Sequence, residues 1–248
     1  LFRSDTGTIS GDFQNGKFVL SHFDGARAHL LEVTPTPDGT LNILQDGQTQ
    51  MTAYRPAAAR AKGFPEPTDP DLNTSVKDPS EPFRFSFPDL SGQVVSNADA
   101  RFRGKVVVVE ITGSWCPNCH DEAALLAEMH RRKRDRGLEV ISLMFEQFGD
   151  FERAREAVYR FRDRHRVEYT TLVAGISDKD DAASKLPQLN GVYAFPTTIF
   201  VDRSGRVRKI HTGFSGPATG QHYDRLVADF NKLTDDLLAE PIPPTPRG

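Results

Sequence analysis

The chain has 248 residues, of which two are cysteine, and its 31 Lys and Arg against 34 Asp and Glu give a formal net charge of −3. This length suits one or two domains that bury their own cores without disulfide staples. A protein that binds nucleic acid mainly through charge carries a basic excess, so the near balance argues against a nucleic-acid partner. No stretch approaches the ~20 apolar residues of a membrane helix, so the given chain is expected to be soluble, with any signal peptide or membrane tether lying outside it.

Turn dipeptides divide residues 1–54 into short runs with the character of strands. Each of them supplies the positive φ that tight hairpins need: Asn15-Gly16, Asp24-Gly25, Asp38-Gly39 and Asp46-Gly47. They predict a small antiparallel β-meander over 1–54. Residues 55–82 contain six prolines and almost no large aliphatic side chains, which predicts an irregular linker or a strap lying over a domain surface.

From residue 83 the pattern alternates between strands and helices. A hairpin is predicted over 83–96, a strand buried on both faces over 105–111, and a helix over 117–136. Further predicted elements are a strand over 138–145, a helix over 151–165, a strand over 169–173, a short helix over 180–186, a hairpin over 197–211 and a final helix over 223–238. This order predicts an α/β domain over 83–240 with a mixed central sheet and flanking helices. The proline-rich residues 241–248 are expected to fray.

Both cysteines lie in one motif, Cys116-Pro117-Asn118-Cys119, directly after the predicted buried strand. A disulfide across two residues closes a tiny loop and adds only ~2 kcal/mol, so a structural crosslink explains the spacing poorly. Pro117 suits the first turn of a helix, whose unpaired N–H groups and positive end stabilise a thiolate on Cys116. Cys116 is the predicted nucleophile, and the more shielded Cys119 is predicted to resolve a mixed disulfide.

A second motif, Phe195-Pro196-Thr197-Thr198, follows later in the chain. Together with Gly113-Ser114-Trp115 before the cysteines, it resembles the thioredoxin superfamily and, within it, the TlpA-like and ResA-type thiol-disulfide oxidoreductases. The resemblance covers about residues 83–238 and implies a thioredoxin-like fold, with a cis peptide bond before Pro196 facing the cysteines. The substrate groove that it implies is formed by Trp115, Pro117, Asn118, Phe195, Pro196 and Thr197.

The resemblance also implies a function. It implies dithiol–disulfide exchange with protein thiols or disulfides, reduction being the favoured direction, and no cofactor or metal because the electrons reside in the cysteine pair. It implies an extracytoplasmic location in the bacterial periplasm or envelope, and an upstream electron donor such as a membrane thiol reductase. The Pro-Asn dipeptide between the cysteines departs from the family, and such dipeptides tune the reduction potential, so the direction of electron flow stays open at this point.

Glu110 is a further candidate, six residues before Cys116 in the run Val-Val-Val-Val-Glu-Ile. Thioredoxins carry a buried acid at the matching position. Burial in this strand would raise the pKa of the carboxyl towards that of the thiols. Glu110 is therefore predicted to accept the proton of Cys119; the alternative is an acid that is merely paired or partly solvated.

Two other functions stay open on the sequence. The motif from Cys116 to His120 also satisfies the Cys-x-x-Cys-His pattern of c-type haem attachment, with His120 as axial ligand. The dithiol could instead bind a soft metal such as copper or zinc, although a closed zinc site needs about four donors and only His120 lies close in sequence. Without either role, His120 is expected on the helix surface.

Overall fold

The computed structural model describes residues 9–23, 28–66 and 70–243, and the chain divides into two compact units, residues 1–69 and 70–248. The first unit holds a five-stranded antiparallel sheet whose strands lie in chain order. Its elements are β1 (Ser10–Gln14), β2 (Lys17–Phe23), β3 (Ala28–Pro35), β4 (Leu41–Gln45), β5 (Thr49–Ala53) and a short helix, α1 (Pro56–Ala61). Asn15 and Gly16 have φ angles of 51° and 82°, the backbone of a two-residue hairpin. The predicted meander is confirmed; its turn at Asp24-Gly25 lies outside the described residues.

The proline-rich segment 55–82 is not one continuous linker. Its first part forms α1 and belongs to the first unit, whereas the second unit begins at residue 70. The chain after residue 70 forms hydrogen bonds with distant parts of this unit. For example, the Ser75 N–H donates to Asn190 Oδ1 at 2.8 Å. The predicted start of the second domain at residue 83 is therefore too late, because proline content indicates irregular backbone but not the surface on which it packs.

The second unit is built on a five-stranded mixed sheet. The strands of this unit are β6 (Ser86–Pro88), β7 (Val94–Ser96), β8 (Val106–Thr112), β9 (Leu138–Glu146), β10 (Thr170–Ile176), β11 (Thr197–Val201) and β12 (Val207–Thr212). The order in the mixed sheet is β10-β9-β8-β11-β12. Strands β8, β9 and β10 are parallel, and β11 is antiparallel to both β8 and β12. Every residue of β8 is buried, as expected of a central strand covered on both faces.

Helices cover the mixed sheet and complete its core. They are α2 (Pro117–Lys133), α3 (Phe151–His165), α4 (Lys179–Lys185) and α5 (Gln221–Ala239). Alternate residues of β8 feed two apolar clusters: Val107 and Val109 pack with the two cysteines, while Val106 and Val108 pack with residues of α2 and α5. The predicted thioredoxin-like fold with a mixed sheet and flanking helices is confirmed. No helix in the described part of the chain is both long and apolar enough to cross a membrane.

Candidate active site

Cys116 and Cys119 lie at the start of α2, where the chain leaves the central strand. Cys116 is the N-cap residue, and its Sγ accepts a hydrogen bond from the Cys119 N–H at 3.4 Å. Pro117 follows at the first helical position, where its missing N–H removes no helical bond. Both cysteines are free thiols, with 1% and 0% of their surfaces exposed. The first turn of the helix thus directs an N–H donor at Cys116, which suits a nucleophilic thiolate.

The segment before β11 faces the cysteine pair. The Phe195–Pro196 peptide bond is cis, and the Cys116 thiol donates to the Phe195 carbonyl oxygen at 3.4 Å. The Phe195 ring packs edge-on against Trp115, with 5.5 Å between the ring centroids. The structure therefore brings together four of the residues singled out from the sequence, which come from two distant parts of the chain.

Four of the six predicted groove residues are buried instead: Asn118, Phe195, Pro196 and Thr197. Thr197 has no exposed surface, and its hydroxyl donates to the Ala194 carbonyl at 2.8 Å. Asn118 is also buried, with 7% exposed. Thr197 begins a strand whose residues are all buried, so its side chain supports the groove from beneath rather than forming its wall. Trp115 and Pro117 are half-buried and lie where a substrate can reach them.

The loop that leads into the cysteine pair is held by the end of β9. The Trp115 indole N–H donates to the Phe145 carbonyl at 2.8 Å, and the Ser114 N–H and hydroxyl donate to the two carboxyl oxygens of Glu146 at 2.8 and 2.6 Å. A Cβ atom on Gly113 would lie 2.3 Å from the Trp115 indole nitrogen, so the close approach of the indole to the backbone at position 113 requires glycine. Glu146 was not identified from the sequence. It is the last residue of β9, and because β8 and β9 are parallel their ends lie at the same edge of the sheet, so its position near the loop after β8 could have been inferred.

His120 contacts the same loop. Its Nε2 lies 2.9 Å from the Ser114 carbonyl oxygen, so Nε2 carries a proton and donates it there, and its Nδ1 lies 2.6 Å from His165 Nε2. Burial lowers the pKa of both rings, that of His165 to about 4. His120 is half-buried on α2, where its ring contacts the rings of Phe161 and His165 on α3. Both of its ring nitrogens have partners, and the haem alternative, which needs one of them for iron, is not favoured.

Glu110 is fully buried beneath the cysteine pair. The Ser142 hydroxyl donates to Glu110 Oε2 at 2.7 Å. Burial raises the pKa of Glu110 to about 7, although the hydrogen bond from Ser142 and the nearby Thr112 hydroxyl oppose the rise. Burial also raises the pKa of Cys119 well above its usual range, and contact with Cys116 and the negative charge of Glu110 add to this rise. Glu110 is desolvated as expected, and the negative charge of its carboxylate raises the pKa of the Cys119 thiol.

A second carboxyl, Glu122, lies next to Glu110 and was missed from the sequence. It is fully buried on α2 and accepts a hydrogen bond from the Thr198 hydroxyl. Burial raises the pKa of Glu122 well above its usual range, and the charge of Glu110 raises it further. Glu122 follows Cys119 by three residues, a spacing that places both on one helical face, and this spacing is the signal that could have identified it.

The second unit matches a known family. A family model described as Redoxin matches residues 75–226. The chain belongs to the redoxin family. The thiol-disulfide oxidoreductase ResA of Bacillus anthracis is 25% identical to this redoxin over 123 residues, which are 50% of this chain and 62% of that protein. The thioredoxin-like protein YneN of Bacillus subtilis strain 168 is 26% identical over 176 residues, which are 71% of this chain and 88% of that protein. The redoxin spans less than two thirds of the ResA protein. The predicted resemblance to TlpA-like and ResA-type proteins is confirmed.

Solved structures share the fold of this redoxin. A secreted thiol-disulfide isomerase from Corynebacterium glutamicum is 19% identical, with a TM-score of 0.51 over 71% of this chain and 99% of that chain. A hypothetical protein from Sinorhizobium meliloti 1021 is 17% identical, with a TM-score of 0.53 over 69% of this chain and 91% of that chain. Within the described residues of this redoxin, no three His, Cys, Asp or Glu side chains lie close enough to hold a metal ion, and the soft-metal alternative is not favoured.

Proposed function

We propose that this redoxin is a thiol-disulfide oxidoreductase that reduces protein disulfides with the dithiol of Cys116 and Cys119. The observation that carries the proposal is the position of Cys116 Sγ, 3.4 Å from both the Cys119 N–H nitrogen and the Phe195 carbonyl oxygen. A nucleophilic sulfur, its resolving thiol and a backbone acceptor for an extended substrate meet there. Trp115 and Pro117, which are half-buried, complete the surface that receives the substrate.

In the first step, Cys116 attacks as a thiolate. A bond forms between Cys116 Sγ and one sulfur of the substrate disulfide, the substrate S–S bond breaks, and the other substrate sulfur leaves as a thiolate that takes up a proton. The Cys119 N–H stabilises the charge on Cys116 before the attack. The product of this step is a mixed disulfide between Cys116 and the substrate.

In the second step, Cys119 resolves the mixed disulfide. Its thiol proton passes to the Glu110 carboxylate, and Cys119 Sγ attacks Cys116 Sγ. The internal disulfide forms, the mixed disulfide breaks, and the second substrate sulfur leaves as a thiolate that is protonated in turn. Two electrons and two protons pass from the protein dithiol to the substrate. Glu110 suits this proton transfer because its pKa of about 7 lets it accept and release a proton near neutral pH.

The environment of Cys119 supports the reducing direction. A strongly oxidising Cys-x-x-Cys protein owes its potential to stabilisation of its reduced form. In this redoxin, burial and the neighbouring Glu110 disfavour the Cys119 thiolate. Stabilisation of the reduced form is therefore limited to the hydrogen bond at Cys116, and we infer that the dithiol gives up its electrons to substrates.

The location and partners of the redoxin follow from this chemistry. We infer that it acts outside the cytoplasm, in the bacterial envelope, where protein disulfides form and persist; the structural relative from Corynebacterium glutamicum is described as secreted. A membrane thiol reductase is the inferred donor that returns the disulfide to the dithiol. No organic cofactor or metal is required, because both electrons reside in the cysteine sulfurs.

Insulin reduction by the full chain tests the proposal. Cys116→Ser is expected to abolish activity, while Cys119→Ser is expected to attack once and accumulate a mixed disulfide visible by mass spectrometry. Glu128→Gln, on the exposed side of the same helix, is the matched control and is expected to keep wild-type activity. Insulin reduction that survives in Cys116→Ser would refute the mechanism.

A further inference from the structure

A row of polar side chains crosses the central sheet beneath the cysteine pair. The register pairs Thr198 on β11 with Glu110 on β8, Glu110 with Ser142 on β9, and Ser142 with Thr171 on β10. All four residues are buried, with at most 4% exposed. Polar groups in a sheet core are costly unless they are hydrogen-bonded, so the row requires a physical reason.

The two carboxyl groups at the centre of this row have complementary hydrogen bonding. Glu110 accepts from Ser142 through Oε2, and Glu122 accepts from Thr198 through Oε1. Their other oxygens, Glu110 Oε1 and Glu122 Oε2, are buried and receive no donor from the described residues. Thr198, which donates to Glu122, lies directly opposite Glu110 on the neighbouring strand, so the two carboxyl groups are brought together there, and each of them shifts the pKa of the other. One proton held between these two oxygens satisfies both of them.

We propose that Glu110 and Glu122 share one proton and act together as the proton acceptor of the dithiol; this deepens the function proposed above and rests on it. Two carboxyl groups in contact in a protein interior cannot both ionise. In the resting pair, Glu122 is protonated and donates to the Glu110 carboxylate. When Cys119 is activated, its S–H bond breaks, an O–H bond forms on Glu110, and the pair goes from one proton to two. The negative charge moves from the pair to the Cys119 sulfur.

Among the described residues around the pair, only the two carboxyl groups are suited to accept the Cys119 proton. The titratable groups that face them are Cys116 and Cys119 from α2 and Tyr169 from the segment before β10. The remaining contacts are the Thr112, Ser142 and Thr198 hydroxyl groups, and α5 contributes apolar side chains to this face of the sheet. Among the described residues, no Lys or Arg side chain contributes to the pKa shift of either carboxyl. One negative charge is therefore distributed between the pair and the thiol.

Three substitutions at Glu122 separate a shared proton from a purely structural role. In Glu122→Gln, the amide carbonyl accepts from Thr198 and the amide N–H₂ donates to Glu110, so the hydrogen bond of the protonated acid is preserved. Glu122→Leu removes the donor and leaves Glu110 Oε1 without a partner. Glu122→Met repeats this test with a more adaptable side chain if the leucine variant does not fold. Glu128→Gln, exposed on the same helix, is the matched control.

The readout is the protonation of individual carboxyl groups in the reduced full chain, followed by infrared difference spectroscopy or ¹³C NMR of labelled glutamate from acid to alkaline pH. In the wild type, one buried carboxyl is expected to ionise near neutral pH and a second to stay protonated. Glu122→Gln is expected to lose the second signal and to keep the midpoint of Glu110. Glu122→Leu is expected to raise that midpoint by about one pH unit or more, because the carboxylate loses a donor. Glu110→Gln identifies the near-neutral signal by removing it.

The shared proton is refuted if Glu122→Leu and Glu122→Met leave the pH midpoint of Glu110 ionisation unchanged. It is also refuted if both carboxyl groups ionise independently, each near the ordinary pKa of glutamate. This outcome is distinguishable from failure of the proposed function. Insulin reduction that depends on Cys116 alongside independent carboxyl groups would overturn the pair only. A wild-type chain without insulin reduction would overturn the oxidoreductase, and the carboxyl titration would still show whether the proton is shared.

Discussion

Replacement of Glu110 by glutamine is expected to change how the stability of the protein depends on pH. The carboxyl is buried, and its pKa rises from an ordinary value of 4.5 to about 7 on folding. Between these two values the folded chain holds a proton that the unfolded chain has released. The free energy of unfolding therefore falls as the pH rises through this window, and the whole loss is present above pH 7. Glutamine has no proton to lose at this position, so the variant escapes this fall.

The size of the effect follows from the shift. At about 1.4 kcal/mol per pH unit, the rise in pKa corresponds to about 3 kcal/mol. Glu110→Gln is thus expected to match the wild type near pH 4 and to be more stable than it by about 3 kcal/mol at pH 8. Glutamine keeps the shape of the side chain and can still accept from Ser142, so the difference reports the charge rather than a cavity.

Urea unfolding of the reduced proteins across this pH range measures the difference. The unfolding of the second unit is followed through the fluorescence of Trp115, the single tryptophan of the chain. Glu128→Gln carries the same chemical change on the exposed side of α2 and is expected to follow the wild type to within about 0.5 kcal/mol at every pH. Stability curves of Glu110→Gln and wild type that run parallel from acid to alkaline pH would contradict the assigned burial and pKa of Glu110.

Three further substitutions test the packing around the site. Ser114→Ala leaves the buried Glu146 carboxyl with one donor fewer, and urea unfolding is expected to show a loss of about 1–3 kcal/mol together with slower insulin reduction. Trp115→Phe leaves the Phe145 carbonyl without its indole donor, and is expected to raise the KM for a protein disulfide more than it lowers kcat, measured by steady-state kinetics. Leu126→Ala removes a fully buried side chain from α2 and is expected to cost about 2–5 kcal/mol in urea unfolding.

The serine and leucine substitutions each have a control on the protein surface. Ser184→Ala alters an exposed serine far in sequence from the loop, and Leu72→Ala alters a leucine with 75% of its surface exposed. Both controls are expected to stay within about 0.5 kcal/mol of the wild type. A loss in Ser114→Ala or Leu126→Ala no larger than in its control would show that the contact contributes no stability.

The parts of the fold that depend on local pattern could be predicted from the sequence. The turn at Asn15-Gly16 follows from backbone preferences, and the burial of β8 follows from its run of valines. The place of Cys116 at a helix start follows from Pro117 and the strand before it. These signals lie within a few residues of one another, which is why they could be interpreted without the tertiary structure.

The remainder of the site depends on contacts between distant parts of the chain. Ser114 and Glu146 are 32 residues apart, and His120 and His165 are 45 residues apart. Neither pairing has a local signature. The burial of Thr197 could not be predicted either, because the side of a strand that faces the core depends on which elements pack against it. Glu122 is the exception, since its helical spacing from Cys119 is a local signal.

A redox titration of the two cysteines tests the proposed dithiol chemistry most directly. The full chain is equilibrated in thiol–disulfide buffers of graded potential, its free thiols are alkylated, and the products are counted by mass spectrometry. If Cys116 and Cys119 form one couple, both thiols disappear together in a single two-electron transition of the monomer, at a potential nearer to about −270 mV, as in thioredoxin, than to about −120 mV, as in a strong oxidant. Cysteines that oxidise separately, or that form only intermolecular disulfides, would contradict the proposed function.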